Sequence, residues 1–155
     1  MVLNHQRRVR VAIADLERFL GRARRVLRLP VGSLTVCLVT NVEIARWNRA
    51  YRGKRGATDV LSFPVEATQG NRRKGWSLSP RRRRPSSPAS SYLGDIAIAP
   101  AVAMRNARRF GRTFNDEMRI LVLHGILHLM GYDHETDTGQ MDRREARLRR
   151  LLGLA

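Results

Sequence analysis

The sequence predicts a single α+β domain of α/β-like character: a mixed four-stranded sheet packed with helices, with a metal site on a C-terminal helix and the turn after it. Three observations carry this. Strand-like runs alternate with helix-periodic segments in the order β, α, β, α, β, β, α, α, α, which calls for one mixed sheet with helices on it. The 155 residues, 43% of them hydrophobic, match one packed core. Three of the four histidines fall inside HGILHLMGYDH, His124 to His134.

In chain order, Val2 to Val11 offers a short, weakly patterned strand. VAIADLERFLGRARRVL then sets Val11, Leu16, Phe19, Leu20, Ala23 and Leu27 along one helical stripe, ended by Pro30. SLTVCLVT is a β-branched run suited to a largely buried strand. Thr40 and Glu43 have capping-box spacing, so a helix starts after Thr40 and runs through IARWNRAY to the turn YRGKRG. DVLSF is a compact strand closed by Pro64. LGDIAIAP alternates Ile96 and Ile98 against Asp95 and Ala97, a further strand stopped by Pro100. Helices over about 101–110, 114–130 and 139–152 complete the chain.

Thr68 to Ser91, TQGNRRKGWSLSPRRRRPSSPASS, interrupts this single domain of residues 1–155. Its Arg, Ser, Pro and Gly content, with no periodicity, reads as a basic, disordered insertion. A solvated surface loop is the plain reading, and an RNA-binding arm the functional one.

The formal net charge of +17 makes polyanions natural partners. Residues 1–67 carry +8, residues 68–91 carry +7 and residues 92–155 carry +2, so the excess lies upstream of the histidines. Of the 30 basic residues 28 are arginine, which suits bidentate phosphate binding. The single cysteine, Cys37, excludes an internal disulfide and reads as a small buried thiol. No window approaches the roughly 18 apolar residues of a membrane helix, and no apolar signal run follows the N-terminal arginines. A soluble cytoplasmic protein is the expectation.

FNDEMRILVLHGILHLM reads as a buried helix, with Asp116 and Glu117 in the first turn where the helix dipole favours acids. A spacing of four leaves two side chains roughly 40° apart around the axis, so His124 and His128 share a face. Gly131 is placed for a left-handed helix end that brings His134 back toward them. Three imidazoles suit zinc, one ion per chain, and leave the fourth position open as catalytic sites do. Nickel, copper and iron are accepted by such sites too. Asp133, Glu135, Asp137 and Asp142 are candidates to accept the proton that a ligating imidazole carries on its other nitrogen.

The spacing equals that of metzincin peptidases, H-E-x-x-H-x-x-G-x-x-H, whose glutamate is the general base. Here Gly125 holds that place and takes no proton. A peptidase thereby loses its base.

With YRGKRGATDVLSFP and LGDIAIAP upstream, HGILHLMGYDHE resembles the YbeY family of bacterial endoribonucleases, from about Asn41 to Gly153 outside the insertion. The resemblance implies a metal-dependent, single-strand-preferring endoribonuclease. Such an enzyme matures the 3′ end of small-subunit ribosomal RNA and supports ribosome maturation and quality control. It also implies His124, His128 and His134 as ligands of a metal normally assigned as zinc, and Arg52, in the YRG segment, as important for activity. The chain departs from the family pattern at Arg55 and Ala57, where an acid and a proline are usual, and at Trp47, where leucine is.

The chemistry is consistent with that implication. A Lewis-acidic metal can bind a phosphoryl oxygen or lower the pKa of a bound water toward about 7 without a glutamate base. Arg52 can hold a scissile phosphate through two hydrogen bonds and stabilise developing charge. Asp59 is read as orienting a ligand, pairing with Arg52, or capping a turn. Arg49, Lys54 and Arg55 are candidate RNA contacts. Tyr132, between ligands, is expected to face the site, whereas Trp47, Tyr51 and Phe63 are core candidates. An aromatic content of 6% offers few stacking platforms, so backbone contacts and weak sequence specificity are expected. Three classes stand: an endoribonuclease acting on ribosomal RNA and the small ribosomal subunit, a non-catalytic, metal-stabilised RNA-binding assembly factor, and a metalloprotease-like hydrolase, which Gly125 disfavours.

Overall fold

A computed structural model describes residues 1–65 and 92–154. The insertion at 68–91 lies outside the described residues. Four strands, β1 (Val2–Asn4), β2 (Leu34–Leu38), β3 (Val60–Pro64) and β4 (Gly94–Ile98), form one sheet in the order β1-β2-β4-β3. β1, β2 and β4 run parallel and β3 is antiparallel to β4, so the sheet is mixed and four-stranded as the sequence predicts. The helices among the described residues are α1 (Ile13–Val26), α2 (Asn41–Arg52), α3 (Pro100–Phe110), α4 (Phe114–Leu129) and α5 (Gln140–Leu151).

Both faces of the sheet are covered. Leu34, Val36, Leu38, Ile96 and Ile98 point into a large cluster with apolar residues of α1, α4 and α5. Cys37, Leu61, Phe63 and Ala97 point the other way, into a smaller cluster with Ile44 of α2 and Val102 of α3. Asp95 and Ala97, expected opposite the isoleucines of β4, are therefore buried as well. Pairing on both edges and helices on both faces leave the strand no exposed side.

Local chemistry sets the element ends. Thr40 accepts from the Glu43 N–H at 3.2 Å and Glu43 returns the bond to the Thr40 N–H at 3.0 Å, which completes the expected capping box of α2. β1 is shorter than the Val2 to Val11 run. Beyond Asn4 the buried Gln6 side chain donates to the Val9 carbonyl and accepts from the Val9 N–H, both at 2.9 Å, taking the bonds that a longer strand would give its neighbour. α1 stops at Val26, short of Pro30: Arg28 adopts a left-handed φ of 56° and the Leu29 N–H reaches the Arg24 carbonyl at 2.8 Å.

α4 is apolar around most of its circumference because it is packed on several sides, against β3, β4, α1, α3 and α5. Its Arg119 holds Asp15 of α1 at 2.5 Å and keeps that carboxyl below its ordinary range. At Gly125 the helix lies directly against the sheet. A Cβ there would stand 2.7 Å from Ile96 Cγ2 and 3.0 Å from Ile96 Cδ1. From the neighbouring strand, the Ser62 hydroxyl donates to the Gly125 carbonyl at 3.0 Å.

Gly125→Ala should therefore destabilise the protein by about 1–3 kcal/mol through overpacking, read as a lower urea midpoint at unchanged m-value. An unchanged midpoint would show that α4 does not rest on β4 as closely as described.

Candidate metal centre

The site is assembled at the C-terminal end of α4. His124 and His128 lie one turn apart on this helix. Gly131, at φ 98°, reverses the chain: its N–H reaches the His128 carbonyl at 3.0 Å and the Tyr132 N–H the Leu127 carbonyl at 3.1 Å. Those bonds satisfy the carbonyls at the helix end and return His134 to the helical pair. Ring centroids of the three histidines are 4.7, 5.4 and 5.2 Å apart, and one nitrogen from each lies within 4.8 Å of the others. Three histidines so placed can hold a metal ion.

The hydrogen bonds of the rings support that use. His124 Nδ1 lies 2.9 Å from a Glu145 oxygen and His128 Nδ1 3.0 Å from the Tyr132 carbonyl. Both partners only accept, so in the neutral rings the proton sits on Nδ1 and Nε2 keeps its lone pair. The two Nε2 atoms face each other at 3.1 Å. Two nitrogens on one tetrahedral zinc, at about 2.0–2.1 Å each, are separated by about 3.3 Å. Bare lone pairs at that distance repel, and a shared cation removes the repulsion.

The histidines open into a cleft of about 540 Å³ whose walls include Tyr51, Arg52, Asp59, Tyr132, Asp133 and Glu135. Arg52, the last residue of α2, pairs through Nη2 with Glu135 at 3.0 Å, and Lys54 reaches the same oxygen at 3.5 Å. Arg49, Lys54 and Arg55 are exposed and do not line this cleft. Tyr132 lines it, as its position between ligands implies. Tyr51 does too, and is less a core residue than expected. It is 36% exposed, with its ring 5.0 Å from that of Phe63, and burial pushes its hydroxyl pKa up.

The acids named from sequence have other occupations. Asp59 accepts from the Val60 N–H at 2.8 Å and from Asn106 at 2.9 Å, which anchors the start of β3 to α3, and it does not pair with Arg52. Asp133 accepts from the Glu135 N–H at 3.0 Å and shapes the turn. Asp137 accepts from the N–H groups of Gly139 and Met141 ahead of α5, and Asp142 lies in the first turn of that helix. Neither Asp59 nor Asp133 accepts from an imidazole; Glu145 and the Tyr132 carbonyl do. Glu145 was not among the residues singled out. The signal for it is an acid interrupting the buried stripe of Met141 and Leu148, at i+4 and i−3.

Burial, and then the nearby His124 and His134 when charged, hold the His128 pKa below its ordinary value, while the Tyr132 carbonyl opposes this. The unfolded chain therefore takes up this proton first as pH falls below about 6.5. The stability contribution of neutral His128 is complete above that pH and is lost as pH drops toward the lower folded value. In chelator-treated protein the urea midpoint should fall between pH 7 and pH 5, and less steeply in His128→Gln. Equal slopes in the two proteins would contradict this origin.

The comparisons with known proteins agree over nearly the whole chain. The family model described as Endoribonuclease YbeY matches residues 3–153. A protein of Nautilia profundicola named Endoribonuclease YbeY is 40% identical over 121 residues, 78% of this chain and 73% of that one. One of that name from Koribacter versatilis is 34% identical over 154 residues, 99% of this chain and 86% of its own. A solution structure of a Thermotoga maritima protein superposes with a TM-score of 0.57 at 26% identity, covering 99% of this chain and 90% of that one. The chain belongs to the endoribonuclease YbeY family.

Proposed function

We propose that this chain is a zinc-dependent endoribonuclease that prefers single-stranded RNA. In this reading it matures the 3′ end of small-subunit ribosomal RNA and serves ribosome maturation and quality control in the cytoplasm. The observation that carries it is one cleft holding three convergent imidazoles and the Arg52 guanidinium. The shared name of the relatives supports RNA as substrate. The chain is taken as one domain, 1–155, with 68–91 a basic insertion.

A zinc ion held by His124, His128 and His134 supplies Lewis acidity toward a phosphoryl oxygen. Arg52 binds the scissile phosphate and offers donors to the charge that develops on it. Glu135 keeps that guanidinium over the cleft until substrate arrives. Lys54, Arg49 and Arg55 attract the RNA backbone from outside the cleft.

Gly125 weighs against a peptidase twice. It lacks the carboxylate, and its Cα faces Ile96 of β4, so a glutamate there would meet the sheet. Among the described residues no helix is long and apolar enough to cross a membrane.

Purified protein should cleave single-stranded ribosomal RNA and leave an unfolded protein intact. Chelation should abolish cleavage, zinc should restore it, and Arg52→Ala should lower kcat about 10²- to 10³-fold at unchanged zinc content. RNA bound but uncut at full zinc occupancy would sink the nuclease reading in favour of the non-catalytic assembly factor.

A further inference from the structure

We propose that Glu145, braced by Arg149, is a positioning residue that sets the metal affinity of the site through His124. The inference rests on the metal reading of the three histidines but not on the identity of the substrate.

Both oxygens of this carboxylate are engaged. One lies 2.9 Å from His124 Nδ1 and the other 2.8 Å from Arg149 Nη2, one turn further along α5. The three side chains are 26%, 12% and 25% exposed for His124, Glu145 and Arg149, so solvent screens the chain of contacts only partly. A carboxylate flanked by an imidazole and a guanidinium has one rotamer that serves both. Arg149 therefore keeps Glu145 from turning away, and Glu145 keeps the His124 ring from rotating about its χ angles.

The two helical ligands are oriented by different devices. His128 donates to the Tyr132 carbonyl, a neutral group in the turn that follows its own helix. His124 is held from another helix, by a charged group. Of these two devices the carboxylate is the one that adds negative charge at the hydrogen-bonded nitrogen, and that makes Nε2 a stronger donor toward a cation. Met141 and Leu148, fully buried on the same stripe, seat α5 by apolar contact, so Glu145 is in place before any metal arrives. Affinity then benefits from a ligand already in its binding tautomer and orientation.

The test measures zinc affinity of the full chain by competition with a chromophoric chelator, alongside the urea midpoint of the chelator-treated protein. Glu145→Gln keeps an acceptor for Nδ1–H but loses the charge, and should weaken zinc binding about tenfold; Glu145→Ala loses both and should weaken it up to about 100-fold. Arg149→Met should cost less than Glu145→Ala and add nothing to it. Glu145→Ala should likewise add nothing in a His124→Ala background, because the two residues act as a unit. A purely structural Glu145 would lower the midpoint of the metal-free protein and give losses that add to that of His124→Ala. That outcome overturns the proposal, as does wild-type zinc affinity in both Glu145 variants. If Glu145→Ala does not fold, the nearly isosteric Glu145→Gln carries the same comparison. A wild-type chain that binds no zinc overturns this inference together with the metal reading. Normal zinc binding without RNA cleavage counts against the nuclease alone and leaves Glu145 in its role.

Discussion

The seating of α4 on the sheet is the contact on which the rest of the site depends. Gly125 brings the helix so close to Ile96 that a single added methyl would be in collision, and the Ser62 hydroxyl holds the same turn from β3. His124 and His128 flank this contact in sequence. Any lift of α4 would carry both imidazoles away from β3 and from the end of α2, where Asp59 and Arg52 stand. Misplacement by about 1 Å can cost a catalytic arrangement two orders of magnitude. Gly125 thus serves by packing, at the position where the glutamate of a peptidase serves by proton transfer.

The third histidine reaches the site by a separate device. His134 is outside the helix, and its approach depends on the left-handed Gly131 and the two backbone bonds that close the helix end. The carbonyl of Tyr132, just past that reversal, is the one that accepts from His128. One turn therefore both delivers one imidazole and orients another. A stretch of eleven residues from His124 to His134 can bring three imidazoles together because its backbone bonds serve twice.

Much of this was legible in the sequence because it is local. Capping boxes, helical stripes and the four-residue spacing of histidines are set by neighbours a few positions away, and α2, α3, α4 and α5 begin and end within a residue or so of expectation. The short β1 was harder, since it is ended by a buried glutamine whose side chain competes for backbone bonds, and nothing in the run Val2 to Val11 marks that choice. The acids near the site show the same competition for backbone groups. Asp59, which opens DVLSF, and Asp133, beside His134, each accept a neighbouring backbone N–H, as short acids near turns do. The partner of His124 comes instead from 21 residues away on a different helix, where only the tertiary packing of α5 brings it close. Its trace in the sequence was one acid on an apolar stripe.

Charge acts on two scales in the proposed reading. The formal excess of +17 attracts RNA at long range, but over about 8 Å at physiological salt that field is screened. The cleft itself is not uniformly basic, for Asp59, Asp133 and Glu135 line it together with Arg52. Orientation of a phosphate then draws on Arg52, which already has an oxyanion partner in Glu135. Both members of that pair are substantially exposed, at 34% and 53%, and exposed pairs contribute about 0–1 kcal/mol. A phosphate that displaces Glu135 exchanges one charge-assisted hydrogen bond for another, in the bidentate geometry a guanidinium favours. The displaced carboxylate, already 53% exposed, returns to water. The exchange costs little, and the guanidinium is held over the cleft before RNA arrives.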